Sequence, residues 1–326
     1  MRKVRKFMRR VLLFVILIGV GLWYFGPYEP VDLSAEFDEA LLDQGVDPYL
    51  AAQEARFVGI TEGVQKQVIW ATAPEVRAPW SVLYIHGFSA TAQEIRPVPD
   101  MVAKELGANL VFTRLAGHGR SGDALASARV TDWMNDVAEG LAIARKTGDR
   151  VLIMATSTGG TLAAAAAVDD ALMQDVAGIV MISPNFGIKN PMSPLLTWPA
   201  ARYWLPQLAG DTRSFTPQNE EHGRYWTTSY PSVATLPMGA LVKAVRALDL
   251  GQAKVPALFI FSRKDTVVRP QMTRETAEEW GGPSQIVNPK LTDRDDPDAH
   301  VIAGDILSPS QNGPTTNAIV TWARGL

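Results

Sequence analysis

Ser157 stands in the part of the chain that is best suited to nucleophilic chemistry. It follows the apolar run Val151 to Ala155, which is typical of a buried strand, and it precedes Gly159, Gly160 and a stretch that favours a helix. Small residues two positions before and two positions after the serine would let a strand-to-helix turn close without a steric clash, with the hydroxyl at its tip. A plain turn between a strand and a helix is the alternative interpretation.

A serine hydroxyl is too weak an acid to attack unaided, so a base must lie within hydrogen-bond reach, together with a group that orients the base. The chain has four histidines, His86, His118, His222 and His300. His300 lies in a polar loop beyond the last strand candidate. His118 lies between two glycines, which is typical of a turn, and His222 lies in an aromatic-rich stretch.

One acidic residue directly follows a strand candidate. Asp265 comes just after the apolar run Ala257 to Phe261, which would place its carboxylate at the carboxyl edge of a parallel sheet, where such sites assemble. The alternatives crowd into one loop, a pattern more typical of a solvated acidic turn. They are Asp293, Asp295, Asp296 and Asp298, of which Asp298 is the strongest.

The elements around these residues alternate between short β-branched runs and longer helical patterns. This alternation predicts βαβ units and a mostly parallel sheet with helices on both faces, and unbroken apolar runs are expected for strands covered on both sides. Between Asn185 and about Val255, prolines and aromatic residues are frequent and no strand is clear, so we expect a helical insertion there. The strand candidates are Gln67 to Trp70, Val82 to Ile85, Leu110 to Thr113, Val151 to Ala155, Gly178 to Ile182, Ala257 to Phe261 and Gln285 to Val287.

Several segments together resemble the α/β-hydrolase superfamily, in particular its bacterial carboxylesterase and monoacylglycerol lipase branch. The Ser157 turn is similar to the G-x-S-x-G nucleophile elbow, with Ala155 in place of the first glycine. The segments HGFSATAQEIRPV (86–98), FTRLAGHGRSG (112–122) and TDWMNDV (131–137) are similar to three further family segments. The resemblance runs from about Val68 to the C-terminus and implies an α/β-hydrolase fold with a helical lid.

The resemblance also implies roles for the candidate residues. In this family the catalytic triad follows the chain order serine, acid, histidine, which selects His300 as the base and Asp265 as the acid that orients it. The backbone N–H groups of Phe88 and Thr158 would form the oxyanion hole. The implied reaction is hydrolysis of a carboxylic, lipid-like ester by Ser157 through an acyl-enzyme, without a metal or an organic cofactor. A peptidase or acyltransferase with the same triad and an inactive hydrolase-fold binding protein are the alternatives.

The N-terminus has the features of a membrane-targeting segment. Six Lys and Arg residues in the first ten positions precede the uncharged run Val11 to Phe25, in which Trp23 and Tyr24 lie where interfacial aromatic residues belong. This run is shorter than the roughly 20 residues that cross a bilayer, so a cleaved signal peptide and a secreted product are the alternative. Because no small-residue cleavage site follows, we expect an uncleaved single-pass anchor over residues 1–28, with the catalytic body on the periplasmic side.

The rest of the chain divides into two parts. Residues 29–55 form a predicted polar linker in which we see no core face, and residues 56–326 form the hydrolase domain with a lid insertion at about 185–254. Hydrophobic residues make up 47% and charged residues 20%, an ordinary balance for a chain with a buried core. The chain has no cysteine, which excludes a disulfide or a thiolate nucleophile. Beyond its first ten residues it is acidic and has no basic stripe, so nucleic acid is not an expected partner.

Overall fold

One mixed sheet carries the fold in the computed structural model, which describes residues 2–326. The strands are β1 (Gln67–Ile69), β2 (Ala78–Ile85), β3 (Ala108–Phe112), β4 (Gly148–Thr156), β5 (Val176–Ile182), β6 (Thr212–Ser214), β7 (Ser229–Pro231), β8 (Ala257–Ile260) and β9 (Ser284–Val287). Seven of them form a sheet in the order β1-β3-β2-β4-β5-β8-β9, in which only β1 is antiparallel to its neighbour. Each of the seven strand candidates overlaps one of these strands, and the predicted α/β fold class is confirmed.

The α-helices of residues 2–326 lie before, between and after these strands. They are α1 (Arg2–Phe25), α2 (Val46–Glu54), α3 (Val98–Leu106), α4 (Gly122–Ser127), α5 (Val130–Thr147), α6 (Thr158–Ala166), α7 (Ala201–Ala209), α8 (Glu220–Tyr225), α9 (Thr235–Val245), α10 (Pro270–Glu279) and α11 (Asn312–Ala323). Helices α3 and α11 share one hydrophobic cluster with the sheet, and α5, α6, α9 and α10 share the cluster on the other face.

The central strands bury both of their faces. In β2, Leu83 and Ile85 belong to the cluster that contains α5 and α6, whereas Val82 and Tyr84 belong to the cluster that contains α3 and α11. Successive side chains of a strand point to opposite faces, so a strand between two helical layers is apolar at every position. This packing is the physical reason for the unbroken apolar runs in the sequence.

The sheet winding reverses at β2, because β3 lies on one side of it and β4 on the other. In open α/β sheets the crevice at the carboxyl ends of the strands at such a switch point is the usual ligand site. The register pairs Ile85 with Ala155, the last residue of β2 with the penultimate residue of β4. The loop after β2 and the turn after β4 therefore begin side by side.

The predicted linker at 29–55 is part of the core over its second half. Leu42, Val46 and Leu50 are buried in the cluster that contains α5, and Glu54 forms a bidentate ion pair with the buried Arg114 at 2.7 and 2.8 Å. The prediction of no core face is therefore wrong for these residues. Leu42 ends a short 3-10 helix, and Val46 and Leu50 lie one turn apart in α2. So few apolar residues, divided between two elements, are easily overlooked in a polar stretch.

The chain between β5 and β8 is more varied than the predicted helical insertion. Strands β6 and β7 pair in antiparallel fashion, so the prediction of no strand in this region is wrong. Helix α9 packs against α6 and buries Leu241 and Val245 in the main core. It is therefore a helix of the body, and the part of the insertion that extends away from the sheet, here called the lid, ends before α9.

Candidate active site

Ser157 occupies a strained turn between β4 and α6. Its backbone angles are φ 51° and ψ −115°, a region that L-residues rarely adopt and that is common at functional sites. Its N–H donates to the carbonyl oxygen of Ile182 at 2.9 Å and its own carbonyl oxygen accepts from the N–H of Asn185 at 3.0 Å. A Cβ at Gly159 would lie 2.2 Å from the carbonyl oxygen of Ile85, which explains why the second residue after the serine must be a glycine here.

The structure brings Ser157, His300 and Asp265 together in one hydrogen-bonded chain. His300 Nε2 lies 3.1 Å from Ser157 Oγ, and His300 Nδ1 lies 2.8 Å from Asp265 Oδ2. Since a carboxylate can only accept, Nδ1 carries the proton and Nε2 is free to accept from the serine hydroxyl. This is the arrangement in which a serine can lose its proton to a neighbouring base.

Asp265 is held in place by the backbone that follows it. It is fully buried, and its second oxygen, Oδ1, accepts from the N–H groups of Val267 and Val268 at 2.8 and 2.9 Å. These two bonds leave Oδ2 directed at His300. Asp265 lies in the loop that follows β8 (Ala257–Ile260), so the carboxylate lies at the carboxyl edge of the sheet, as its place after an apolar run predicted.

The acidic loop before His300 is structural. Asp296 is buried and accepts from the N–H groups of His300 and Val301 at 3.1 and 2.9 Å. Asp298, the strongest alternative to Asp265, accepts from the hydroxyl of Thr266 at 2.6 Å. The interpretation of this loop as a solvated turn is therefore wrong for Asp296, which fixes the backbone that presents the histidine.

The electrostatic surroundings favour the protonated form of His300. Burial opposes the charge on the imidazolium, but the charge and hydrogen bond of Asp265, together with the charges of Asp296 and Glu94, outweigh burial and raise the pKa of His300. A base with a raised pKa takes a proton more readily. An imidazolium at His300 is therefore stabilised in this site.

The predicted oxyanion residues lie just beyond the ends of β2 and β4, on either side of Ser157. Thr158 follows Ser157 directly, and Phe88 follows Gly87, where an added Cβ would lie 3.2 Å from the Cβ of Ser157. Within residues 2–326 neither the Phe88 nor the Thr158 N–H donates a hydrogen bond to the protein backbone or to a side chain. Two unengaged N–H groups beside a nucleophile can bind the negative charge of a tetrahedral intermediate.

Sequence reasoning missed Glu94, which lies directly behind the oxyanion loop. Its Oε1 accepts from the Gly87 N–H at 2.6 Å and from the Tyr84 hydroxyl at 2.7 Å, and that hydroxyl lies 2.8 Å from Thr156 Oγ1. Burial raises the pKa of Glu94 to about 7, although these hydrogen bonds and His300 oppose the shift. These hydrogen bonds link Thr156, the residue before Ser157, to Gly87, the residue before Phe88. The sequence did contain a signal for this residue: Glu94 is the one charged residue in the segment SATAQEI (89–95).

The other three histidines do not reach Ser157. His86 Nε2 accepts from the N–H of Leu115 at 3.0 Å, and His222 Nδ1 accepts from the N–H of Gln218 at 3.1 Å within the lid. Burial lowers the pKa of His118 to about 4, so its ring is neutral. Among the described residues no cluster of three or more His, Asp or Glu could hold a metal ion.

The lid contacts the loop that follows β2, next to Ser157. The Thr227 N–H donates to the Ser89 carbonyl oxygen at 2.7 Å, and the ring of Tyr230 contacts that of Phe88 with centroids 5.6 Å apart. Ser157 is accordingly only 8% exposed. A groove of about 830 Å³ lies beside the residues that begin β5, β8 and β9, at the opposite edge of the sheet from Ser157.

The sheet order, the strained serine turn and the hydrogen-bonded Ser, His and Asp define an α/β-hydrolase. Over residues 77–288 the chain matches the family model Hydrolase_4, described as serine aminopeptidase, S33, and it belongs to this family. It is 27% identical over 192 residues to the thermostable monoacylglycerol lipase of Bacillus sp. (strain H-257), an alignment that covers 59% of this chain and 73% of that lipase.

Solved structures share the fold over most of the chain. A structure of the metagenome-derived lipolytic enzymes LipS and LipT has a TM-score of 0.64 at 20% identity and covers 82% of this chain and 100% of that one. A soluble variant of the Saccharomyces cerevisiae monoglyceride lipase has a TM-score of 0.61 at 13% identity, covering 81% and 92%. These likenesses show that the chain shares the α/β-hydrolase fold with those enzymes.

Proposed function

We propose that this protein hydrolyses carboxylic esters with Ser157 as the nucleophile, His300 as the base and Asp265 as the orienting acid. The observation that carries the proposal is the position of His300, whose two ring nitrogens lie within 3.1 Å of Ser157 Oγ and Asp265 Oδ2. No other histidine contacts the serine among the residues that the structure describes. Acyl transfer is the chemistry that this geometry serves.

The reaction proceeds in two half-reactions. Ser157 Oγ attacks the ester carbonyl carbon while His300 Nε2 takes the hydroxyl proton, which gives a tetrahedral oxyanion and an imidazolium. His300 returns that proton to the leaving alcohol as the C–O bond breaks, and an acyl-enzyme remains. Water then loses a proton to His300, attacks the acyl-enzyme and releases the acid when the proton returns to Ser157. The N–H groups of Phe88 and Thr158 hold the oxyanion in both steps, a contribution of roughly 3 kcal/mol for each donor.

A lipid-like ester is the substrate class that we propose. The Bacillus relative is a monoacylglycerol lipase by name, and the lid of this chain exposes several large apolar side chains, among them Tyr203 and Leu208. Exposed apolar side chains of this kind are typical of a surface that contacts lipid. The body is also joined to α1, the one helix of residues 2–326 that is long and apolar enough to cross a bilayer, with a mean hydropathy of 1.8.

The family description favours one second candidate, an aminopeptidase with the same triad. Such an enzyme must bind the charged N-terminus of a peptide, for which a free carboxylate is the usual partner. Residues 185–210, the part of the lid nearest to the nucleophile in the chain, have no Asp or Glu. Glu94 already accepts hydrogen bonds from Gly87 and Tyr84. Ester hydrolysis is therefore the better-supported function.

A fluorophosphonate probe and a panel of esters test the proposal. We expect the wild-type chain to be labelled at Ser157 and to cleave p-nitrophenyl esters and monoacylglycerols faster than aminoacyl-naphthylamides. Ser157→Ala and His300→Ala should abolish both labelling and turnover, while His222→Ala, a buried histidine of the lid, serves as the matched control. Activity of Ser157→Ala within about tenfold of wild type would contradict the mechanism, in which the nucleophile accounts for far larger factors.

The proposed location is the membrane. We propose that residues 1–28 form an uncleaved anchor with its basic end in the cytoplasm. The hydrolase domain, which includes the lid and the core residues from Leu42 onward, then lies on the periplasmic side. Activity should remain in the membrane fraction after alkaline carbonate extraction, and mass spectrometry should find the intact N-terminus. A soluble product that begins near Pro30 would instead identify the segment as a signal peptide.

A further inference from the structure

The end of α1 contacts the lid directly. The ring of Trp23 meets the ring of Trp198 edge to face, with centroids 6.2 Å apart. Just beyond α1, the Pro27 carbonyl oxygen accepts from the N–H of Ala200 at 2.7 Å. The segment that leaves the proposed anchor therefore packs on residues 198–200 of the lid before it reaches the body.

An ion pair continues this contact. Both carboxylate oxygens of Glu29 accept from the guanidinium of Arg202, at 3.1 Å from Nε and 2.5 Å from Nη2, and the Glu29 side chain is only 5% exposed. Bidentate pairs of this kind define a geometry as well as an attraction. The connection between α1 and the lid is therefore a defined contact and not a loose tether.

This part of the lid starts beside Ser157, at Asn185. The N–H of Asn185 donates to the carbonyl oxygen of Ser157, and the chain reaches Trp198 and Arg202 within the next two dozen residues. Residues 185–210 contain Lys189 and Arg202 as their only charged residues. Their large exposed side chains are Met192 at 58%, Trp198 at 46%, Tyr203 at 72% and Leu208 at 67%.

These properties fit one partner, the surface of a lipid bilayer. Trp and Tyr are enriched where a protein meets the interface between headgroups and acyl chains, and exposed apolar side chains such as Met192 and Leu208 can enter that interface. If α1 spans the bilayer, Trp23 lies at its boundary, and its contact places Trp198 at the same depth. A protein partner would have to displace the bilayer from this position.

We propose that residues 192–208 of the lid contact the bilayer, held there by their contacts with residues 23–29, so that a lipid ester reaches Ser157 from the membrane and not from the aqueous phase. The inference rests on the proposed function, because it requires α1 to be a membrane anchor and the substrate to be a lipid-like ester.

Site-directed fluorescence in the full-length chain tests the contact, and the absence of native cysteine makes each label unique. An environment-sensitive fluorophore is attached through Ile18→Cys in α1, Tyr203→Cys in the lid, or Val76→Cys, which is 47% exposed and precedes β2 at the opposite edge of the sheet. The protein is reconstituted in vesicles of phosphatidylcholine and phosphatidylglycerol that carry nitroxide-labelled acyl chains. Quenching is expected at positions 18 and 203 and not at position 76.

Three results would overturn the inference. If position 18 is quenched and position 203 behaves like position 76, the lid lies away from the bilayer. If position 203 is shielded from a water-soluble quencher and is also unaffected by the nitroxide lipids, a second copy of the chain covers the surface. If position 18 is not quenched, the proposed anchor is wrong, and the inference fails with it.

Activity gives a second readout. The double variant Trp198→Ser with Tyr203→Ser should hydrolyse monoacylglycerol in the same vesicles at least about tenfold more slowly, because interfacial side chains that bind the bilayer are lost. Its turnover of a short, water-soluble ester should stay within about twofold, since that substrate needs no membrane contact. Val76→Ser is the matched apolar control and should change neither rate. Equal loss on both substrates would contradict the inference, and no hydrolysis of either ester by the wild-type chain would contradict the proposed function.

Discussion

Asp265→Asn separates the orienting role of the carboxylate from its role in the fold. An asparagine can keep its carbonyl oxygen toward the N–H groups of Val267 and Val268, which hold Oδ1 at 2.8 and 2.9 Å. Its NH₂ group then faces His300 Nδ1 in place of the 2.8 Å acceptor. Two donors cannot face each other, so His300 must carry its proton on Nε2, where it can no longer accept one from Ser157.

The expected loss follows from this change of tautomer. A triad in which the acid is replaced by the amide loses about 10⁴ in rate, which is about 5.4 kcal/mol of transition-state stabilisation at 1.36 kcal/mol for each factor of ten. The charge of Asp265 also counters the burial that lowers the pKa of His300. Without that charge the pKa of His300 falls. Since the base must be unprotonated to act, the acidic limb of the residual activity should move to lower pH.

The assay is kcat/KM for a short aryl ester across about pH 5 to 9, a range that brackets the ordinary pKa of histidine, together with thermal unfolding of the same samples. Asp298→Asn is the matched control, because Asp298 accepts from the Thr266 hydroxyl and does not touch His300. Two results would refute the assignment of the acid. One is activity of Asp265→Asn within tenfold of wild type. The other is a large loss of activity in Asp298→Asn while Asp265→Asn stays active.

Three further predictions concern the surroundings of the site. Glu94→Gln removes a carboxyl group whose charge raises the pKa of His300. Because the pKa of Glu94 is itself raised to about 7, the group is only partly charged near neutral pH, so the acidic limb of kcat/KM should move to lower pH by less than in Asp265→Asn; an unchanged profile would contradict the electrostatic coupling. Gly159→Ala should give little folded, active protein, because the added Cβ would lie 2.2 Å from the carbonyl oxygen of Ile85 at the end of β2. Gly313→Ala is the control: its added Cβ would have no atom within 4 Å, so the Tm should be almost unchanged. Arg114→Ala leaves the carboxylate of Glu54 buried without its ion-pair partner, so the free energy of unfolding should fall by about 3–5 kcal/mol. Denaturant titration measures this loss. A loss below about 1 kcal/mol would mean that the Arg114–Glu54 pair contributes no more than an exposed ion pair.

Much of the sheet was predictable because its signal is local. Runs such as Val151 to Ala155 are apolar at every position, and this pattern directly reflects burial of both faces of a strand. Ser157 was recognisable for a related reason, since a sharp turn between a strand and a helix accepts only small residues around it. The proposed partners His300 and Asp265 were selected by chain order within a resembling family, and the structure places His300 beside the serine and Asp265 beside His300.

Tertiary structure alone decided the features that depend on distant contacts. Leu42, Val46 and Leu50 look like scattered apolar residues in a polar segment, and only the surface of α5 makes them a core face. The roles of Glu94 and Asp296 depend on which backbone N–H groups come within about 3 Å of each carboxylate. A sequence records the polarity of each residue, but the loops that satisfy a buried charge are brought to it by the packing of the whole chain.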